Sequence, residues 1–280
     1  MSSGEVHCLV NGHWSDSIPA SDRGLAYGHG LFESMRLNGG QIPLLDFHLQ
    51  RLETGAARLS LPFSLSRCRD YLNTLLHRCT ADGVVKLILT AGSGGRGYRA
   101  DSSVEPLYIL QCFPLPDYPS TWSQTGVSVT ICEHRLPIAP RLAGLKHLNR
   151  LDQVLARMEW QDEYQEGLML DREGRVIEGT MTNLFCFRDG SWLTPDLSRC
   201  GVSGVLRQYL KDELLPALGI QVSETMICLE ELGTMEELFL CNSVAGIWPV
   251  ESVKDSGCWQ VGKRTEAISR ALQQEMPCYG

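Results

Sequence analysis

A chain of 280 residues with 43% hydrophobic, 21% charged and 8% aromatic side chains can bury one large core or two modest ones, and its composition excludes a disordered or fibrous protein. The formal net charge of −8 argues against a binder of nucleic acid, whose affinity comes from clustered Lys and Arg. The 11 cysteines fall singly, with an odd total and no Cys-x-x-Cys pair, which argues against a disulfide framework or a structural zinc and for reduced thiols in a cytoplasmic protein.

The first third reads as mixed α and β. A strand is expected around Val6–Val10, turning at Asn11-Gly12, and an extended stretch over Leu31–Leu37 ends at Asn38-Gly39-Gly40. Leu45, Leu49, Leu52, Ala56 and Leu59 share one helical face, with Arg51 and Arg58 at its margins. Leu65–Cys79 is a weaker helical segment, and Val84–Ala91 a β-rich run entering the glycine-rich segment Gly92–Gly97.

Pro114, Pro116, Pro119, Ser120 and Ser123 resist regular structure, which places a linker over 114–124. A smaller N-terminal α/β domain is expected over 1–113 and a larger C-terminal domain over 125–280. In the latter, Val127–Cys132 reads as a strand, Leu148–Trp160 as a helix, and Gly167–Phe187 as a hairpin turning at Asp171–Gly174. A helix near Val205–Leu218, strands at Glu237–Cys241 and Ile247–Val253, and a helix over Gly262–Gln274 complete the chain. No apolar run approaches the roughly 20 residues that span a bilayer, and Met1–Glu5 opens no signal-like pattern.

Lys146 lies at a predicted helix mouth beside apolar residues, where desolvation would lower its pKa and make it a nucleophile or proton carrier. By itself, a lysine snorkelling from a helix start is the weightier account. Glu178, among small and apolar residues, suits a hydrogen bond to a protonated ring nitrogen, or is an exposed hairpin carboxylate. Gly201-Val202-Ser203-Gly204 before the helix at Val205 offers backbone N–H groups to a phosphate, although helix capping alone explains such a turn. The turn Cys241–Gly246, with Ser243, is a second set of phosphate donors of the same kind. Gly92–Tyr98 carries Arg96 and Tyr98, apt for a carboxylate, and lacks the ending of a nucleotide P-loop. The seven histidines show no metal-ligand spacing, so no metal is expected.

In this order the segments resemble the class IV (fold-type IV) pyridoxal-phosphate family, which includes branched-chain and D-amino-acid aminotransferases and aminodeoxychorismate lyase. The resemblance runs from Val10 to about Pro249. It is carried by Ser21-Asp22-Arg23-Gly24, Tyr27-Gly28-His29-Gly30-Leu31-Phe32-Glu33, His48-Leu49-Gln50-Arg51-Leu52, the Lys146 segment, Glu178 with Asn183-Leu184-Phe185, and Gly201–Arg207. It implies an α/β fold in two domains with pyridoxal 5'-phosphate between them, in a typically homodimeric protein.

By the same resemblance Lys146 would hold the coenzyme as a Schiff base, Glu178 would bind the pyridine nitrogen and Arg51 would grip the phosphate. Amides of Val205 and Leu206, with Ser243, would complete the phosphate cup. Ser34 stands where some lyases of the family have a threonine near the cofactor, and His29 replaces a common aspartate. Gly92–Tyr98 and Ala143–Leu151 resemble the lyase branch, which implies release of 4-aminobenzoate and pyruvate from 4-amino-4-deoxychorismate on the route to folate. Arg96 and Tyr98 would then hold substrate carboxylates. An aminotransferase of the same fold, with which Glu33 is compatible, and a non-catalytic binding module are the competing readings.

Overall fold

Asn11 and Gly12 take positive φ, 46° and 81°, the backbone that a two-residue turn between twisted strands requires, and so fold His7–Val10 (β1) onto His13–Trp14 (β2). This hairpin opens the computed structural model, which describes residues 7–79, 81–95, 97–100 and 104–280. The chain forms two units, Met1–Pro116 with Leu145–Asn149, and Asp117–Gly144 with Arg150–Gly280.

In the first unit β1 pairs with Leu107–Pro114 (β5), β5 with Gly83–Thr90 (β4), and β4 with Gly30–Leu37 (β3), giving a five-stranded antiparallel sheet in the order β2-β1-β5-β4-β3. Leu31, Glu33, Met35 and Leu37 alternate as buried residues with half-buried Phe32, Ser34 and Arg36. Between Asp22, whose carboxylate accepts from the amides of Gly24 and Leu25, and Gly28 at φ 63° lies the short helix Arg23–Tyr27 (α1). Leu45–Arg58 (α2) and Leu65–Leu76 (α3) bring Leu49, Leu52, Ala56, Leu72 and Leu75 into one core with Leu31, Met35 and Leu37. Ser64 caps α3 by accepting from the Arg67 amide.

The second unit carries Thr121–Gln124 (α4), Val127–Leu136 (β6), Leu151–Arg157 (α5), Glu166–Asp171 (β7), Arg175–Gly179 (β8), Asn183–Arg188 (β9) and Ser191–Pro195 (β10). Val205–Tyr209 (α6) continues through a π-helical turn, Leu210–Leu214, into Leu215–Ala217 (α7). Val222–Thr225 (β11), Ile227–Cys228 (β12), Glu237–Asn242 (β13), Gly246–Val253 (β14), Gly257–Cys258 (β15) and Lys263–Glu275 (α8) follow. The strands form one ten-stranded sheet in the order β11-β10-β9-β13-β14-β6-β7-β8-β12, with β15 beside β14. Every residue of β7 is buried, because Leu168 and Leu170 join one core cluster and Met169 another.

Two sequence expectations shift. The proline-rich stretch is not all a free connection: Tyr118 and Trp122 meet the Trp248 ring edge-on, with centroids 4.9 and 5.1 Å away. The helix expected over Leu148–Trp160 spans only Leu151–Arg157, because the backbone of Lys146 and Leu148 is already bonded to β3. Its apolar stripe also faces outward, with Leu151 74% and Met158 76% exposed.

Candidate active site

Lys146 stands on an extended segment rather than at a helix mouth. The Phe32 amide donates to the Lys146 carbonyl at 2.9 Å, the Leu148 amide donates to the Gly30 carbonyl at 3.0 Å, and Leu31 pairs with His147. This adds a short strand to β3 and fixes the direction of the lysine, whose Nζ sits 4.4 Å from the centroid of the Phe32 ring. Ser34 follows Phe32 on the same face of β3 and is registered against Lys86, whose Nζ lies 5.7 Å from that ring.

Behind β3, Arg51 is held by a carboxylate. Glu33 Oε1 accepts from Arg51 Nε at 2.8 Å, its Oε2 forms a second, shorter contact with Arg51 Nη2, and Oε2 also meets His48 Nδ1 at 2.6 Å. His48 is 0% and Glu33 1% exposed. Burial alone would raise the Glu33 pKa, but the Arg51 guanidinium and the hydrogen bonds from His48 and Arg51 overcome it and hold it at about 2. Burial pushes the His48 pKa down, against the pull of Glu33 and with repulsion from Arg51 and Lys146, so His48 is neutral and donates from Nδ1. Among the described residues its buried Nε2 has no hydrogen-bond partner.

The glycine-rich loop is organised by Arg23, itself 3% exposed. Its guanidinium donates to the carbonyls of Gly97 and Tyr98 at 2.9 Å and of Gly95 at 3.3 Å. The Tyr98 side chain is 90% exposed and meets the Tyr27 ring edge-on at 5.7 Å. Arg96 lies outside the described residues.

In the second unit, Glu178 owes its orientation to a β-bulge. Met169 pairs with Glu178 but Leu170 pairs with Val176, so Ile177 is an extra residue. Strict alternation would turn Glu178 into the Val176 core. The bulge instead puts it on the Met169 side, 4% exposed, where Oε2 accepts from the Val202 amide at 2.8 Å and Oε1 lies 3.4 Å from Gln153 Nε2.

That Val202 amide belongs to the loop entering α6. Gly144 N–H donates to the Gly201 carbonyl and Ser203 N–H to the Gly144 carbonyl, while Asn183 Nδ2 donates to the Val202 carbonyl at 2.9 Å. Gly201 has φ 85°, and a Cβ there would come within 2.8 Å of Ile177 Cγ2. A Cβ on Gly204 would stand 2.0 Å from Asn183 Oδ1. Gly204 is the N-cap of α6 and supplies no side-chain cap, so the helix begins with main-chain donors alone. The side chains of Val205 and Leu206 are 1% and 0% exposed, which leaves only their backbone to meet a ligand.

Ser243 occupies a turn whose first residue binds its own backbone: Asn242 Oδ1 accepts from the Val244 amide at 2.9 Å and the Ala245 amide at 2.8 Å. The Ser243 carbonyl accepts from the Tyr279 hydroxyl at 2.9 Å.

Sequence reasoning assigned no role to Glu33, His48, Arg23 or Tyr279. A signal for Glu33 existed, since a carboxylate falls on the buried phase of an otherwise apolar alternation. Among the described residues no group of His, Cys, Asp and Glu is placed to hold a metal ion, and no helix is long and apolar enough to cross a membrane.

The family described as amino-transferase class IV matches residues 30–253. An aminodeoxychorismate lyase of Vibrio harveyi is 34% identical over 94% of this chain and 98% of its own length. A D-alanine aminotransferase of Bacillus licheniformis is 26% identical over 93% and 92%. The crystal structure of 4-amino-4-deoxychorismate lyase from Pseudomonas aeruginosa superposes with a TM-score of 0.91 at 44% identity, covering 96% of this chain and 99% of that one. With the matched region running from the start of β3 to the end of β14, and so through Lys146, Glu178 and the loop before α6, the chain belongs to the class IV aminotransferase family.

Proposed function

We propose that this chain is a pyridoxal-phosphate-dependent aminodeoxychorismate lyase, converting 4-amino-4-deoxychorismate to 4-aminobenzoate and pyruvate. The observation that carries this reading is the near full-length similarity, at 34% and 44% identity, to two lyases of that name. The residues present suit the coenzyme: a half-buried lysine amine, a buried carboxylate for the ring nitrogen, and a helix start without a side-chain cap for the phosphate.

Lys146 would hold the coenzyme covalently, Glu178 would keep the proton on its ring nitrogen, and Arg51, the amides of Val205 and Leu206, and Ser243 would hold its phosphate. When bound, the coenzyme supplies an electron sink for charge developing at the carbon that bears the substrate amine. Once the substrate amine has displaced it from the coenzyme, the freed Lys146 Nζ would take the proton from that carbon and return it to the departing enolpyruvate, which leaves as pyruvate. Ser34, on the face of β3 that also carries Phe32, places a hydroxyl for this proton traffic, and Arg96 and Tyr98 hold the substrate carboxylates. Formation of the aromatic ring drives the elimination, so the protein chiefly positions groups and moves protons.

Among the described residues the cysteines form no disulfide, which supports a cytoplasmic setting. The exposed apolar face of α5 is a surface that a second copy would cover in a homodimer, and sedimentation as a monomer would overturn that part of the reading. The function is tested by incubating the holoenzyme with 4-amino-4-deoxychorismate and measuring 4-aminobenzoate. Product above background, lost together with the coenzyme's near-visible absorbance in Lys146→Ala, is expected. No product, with amino groups transferred from D-alanine or branched-chain amino acids instead, would make the chain an aminotransferase.

A further inference from the structure

The turn at Ser243 is pinned from the far end of the chain. Tyr279, the penultimate residue, is 6% exposed and donates its hydroxyl hydrogen bond to the Ser243 carbonyl at 2.9 Å. Its ring lies directly against Gly246, where a Cβ would come within 3.1 Å of Tyr279 Cδ1, and Gly246 has φ 82°. The carbonyl of Tyr279 is in turn met by Gln273 Nε2 of α8 at 3.3 Å.

These contacts fix one peptide plane from both sides. The carbonyl of the Ser243–Val244 peptide points to Tyr279, and its N–H points to Asn242 Oδ1. A peptide held at both its polar ends cannot rotate without losing one bond, so the residue on its N-terminal side keeps its direction. With the Val244 and Ala245 amides engaged by Asn242, Ser243 is the residue of this turn whose placement decides what the turn can hold.

We propose that Tyr279 is a positioning residue for the coenzyme phosphate, acting through the Ser243 turn from the C-terminal end of the chain. The inference rests on the pyridoxal-phosphate reading above. Tyr279 touches no reacting atom. Its hydroxyl orients the turn, and its ring fills the side of the turn that Gly246 leaves without a side chain.

The test is titration of the apoprotein with pyridoxal 5'-phosphate and, separately, with pyridoxal, which lacks the phosphate, following the absorbance of the bound form. Tyr279→Phe keeps the ring and removes the hydroxyl. It is expected to weaken pyridoxal 5'-phosphate about three- to tenfold, the effect of one ordinary hydrogen bond, and to leave pyridoxal affinity unchanged, with an apoprotein that still unfolds cooperatively but at slightly lower denaturant. In a Ser243→Ala background the same substitution is expected to lose most of its effect, because the two residues act as one unit.

An unchanged affinity for pyridoxal 5'-phosphate would overturn the proposal. So would equal weakening of both ligands, or full additivity with Ser243→Ala, since either marks a general structural role. A wild-type apoprotein that binds neither ligand would remove the coenzyme reading itself. A wild type that binds, beside an indistinguishable Tyr279→Phe, removes only the role of Tyr279.

Discussion

Glu33 Oε1 accepts a hydrogen bond from Arg51 Nε at 2.8 Å, and it does so from the interior phase of a strand, where its neighbours Leu31, Met35 and Leu37 are core residues. A guanidinium gripped along one edge is fixed in plane as well as in place, which is what the phosphate-binding role proposed for Arg51 requires.

Glu33→Gln should therefore affect both stability and coenzyme affinity. The amide cannot pair with Arg51 as a charge, and removing one partner of a buried ion pair costs about 3–5 kcal/mol. Urea unfolding should show a loss of that order, and pyridoxal 5'-phosphate should bind more weakly to the variant. A variant as stable as the wild type would show that the network contributes little.

The same cluster sets a pH dependence. Glu33 has its pKa held at about 2 against an ordinary 4.5, and that of His48 is lowered from 6.5, so in acid the unfolded chain binds more protons than the folded one. Stability from His48 is fully present above 6.5 and declines as pH falls through its folded pKa. That from Glu33, on the order of 3 kcal/mol, is present above 4.5 and is lost between 4.5 and about 2. Unfolding free energies measured from pH 7 down to pH 3 should fall in the wild type, and the decline below 4.5 should be shallower in Glu33→Gln. Parallel curves would show that other groups govern acid stability.

Much of the fold was legible because each signal was local. The steps of Leu45, Leu49, Leu52 and Ala56 announce α2, and Asn11-Gly12 the first hairpin. The strand β5 was missed although it lies at the centre of its sheet: Leu107–Leu110 are buried on both faces and show no alternation, with the proline-rich stretch close behind. Lys146 and Glu178 could be named from their neighbours, but their settings could not. Lys146 is held by hydrogen bonds to β3, more than a hundred residues earlier, and Glu178 is aimed by an extra residue that only strand register reveals. Tyr279 was invisible because its partner is a carbonyl, which has no sequence signature.

Glycines before α6 offer a contrast between two kinds of cost. Gly204→Ala would drive a Cβ to 2.0 Å from Asn183 Oδ1, displacing the side chain that holds the Val202 carbonyl, and Val202 is the residue whose amide meets Glu178. A loss of about 1–3 kcal/mol is expected, with a clear fall in coenzyme affinity. Gly174→Ala, at φ 79° in open space, should cost only about 1–2 kcal/mol of backbone strain and leave coenzyme binding unchanged. Equal effects of the two substitutions on coenzyme binding would show that the loop does not depend on Asn183.

Glu166 supports the turn that follows Glu178. Fully buried at the start of β7, its carboxylate accepts from the amides of Gly167, Thr180 and Met181 and from the hydroxyls of Thr180 and Thr182. Burial raises its pKa, yet each of these five partners donates, so the turn is shaped around an acceptor-only group. Glu166→Gln replaces one acceptor oxygen by an NH2 group facing donors, which should cost about 1–3 kcal/mol and loosen residues 180–182. Hydrogen exchange at the Thr180 and Met181 amides is the direct measurement: faster exchange there, with that of the Leu184 and Phe185 amides in β9 unchanged, is expected. Unaltered protection at both amides would mean that the turn holds its shape without the carboxylate.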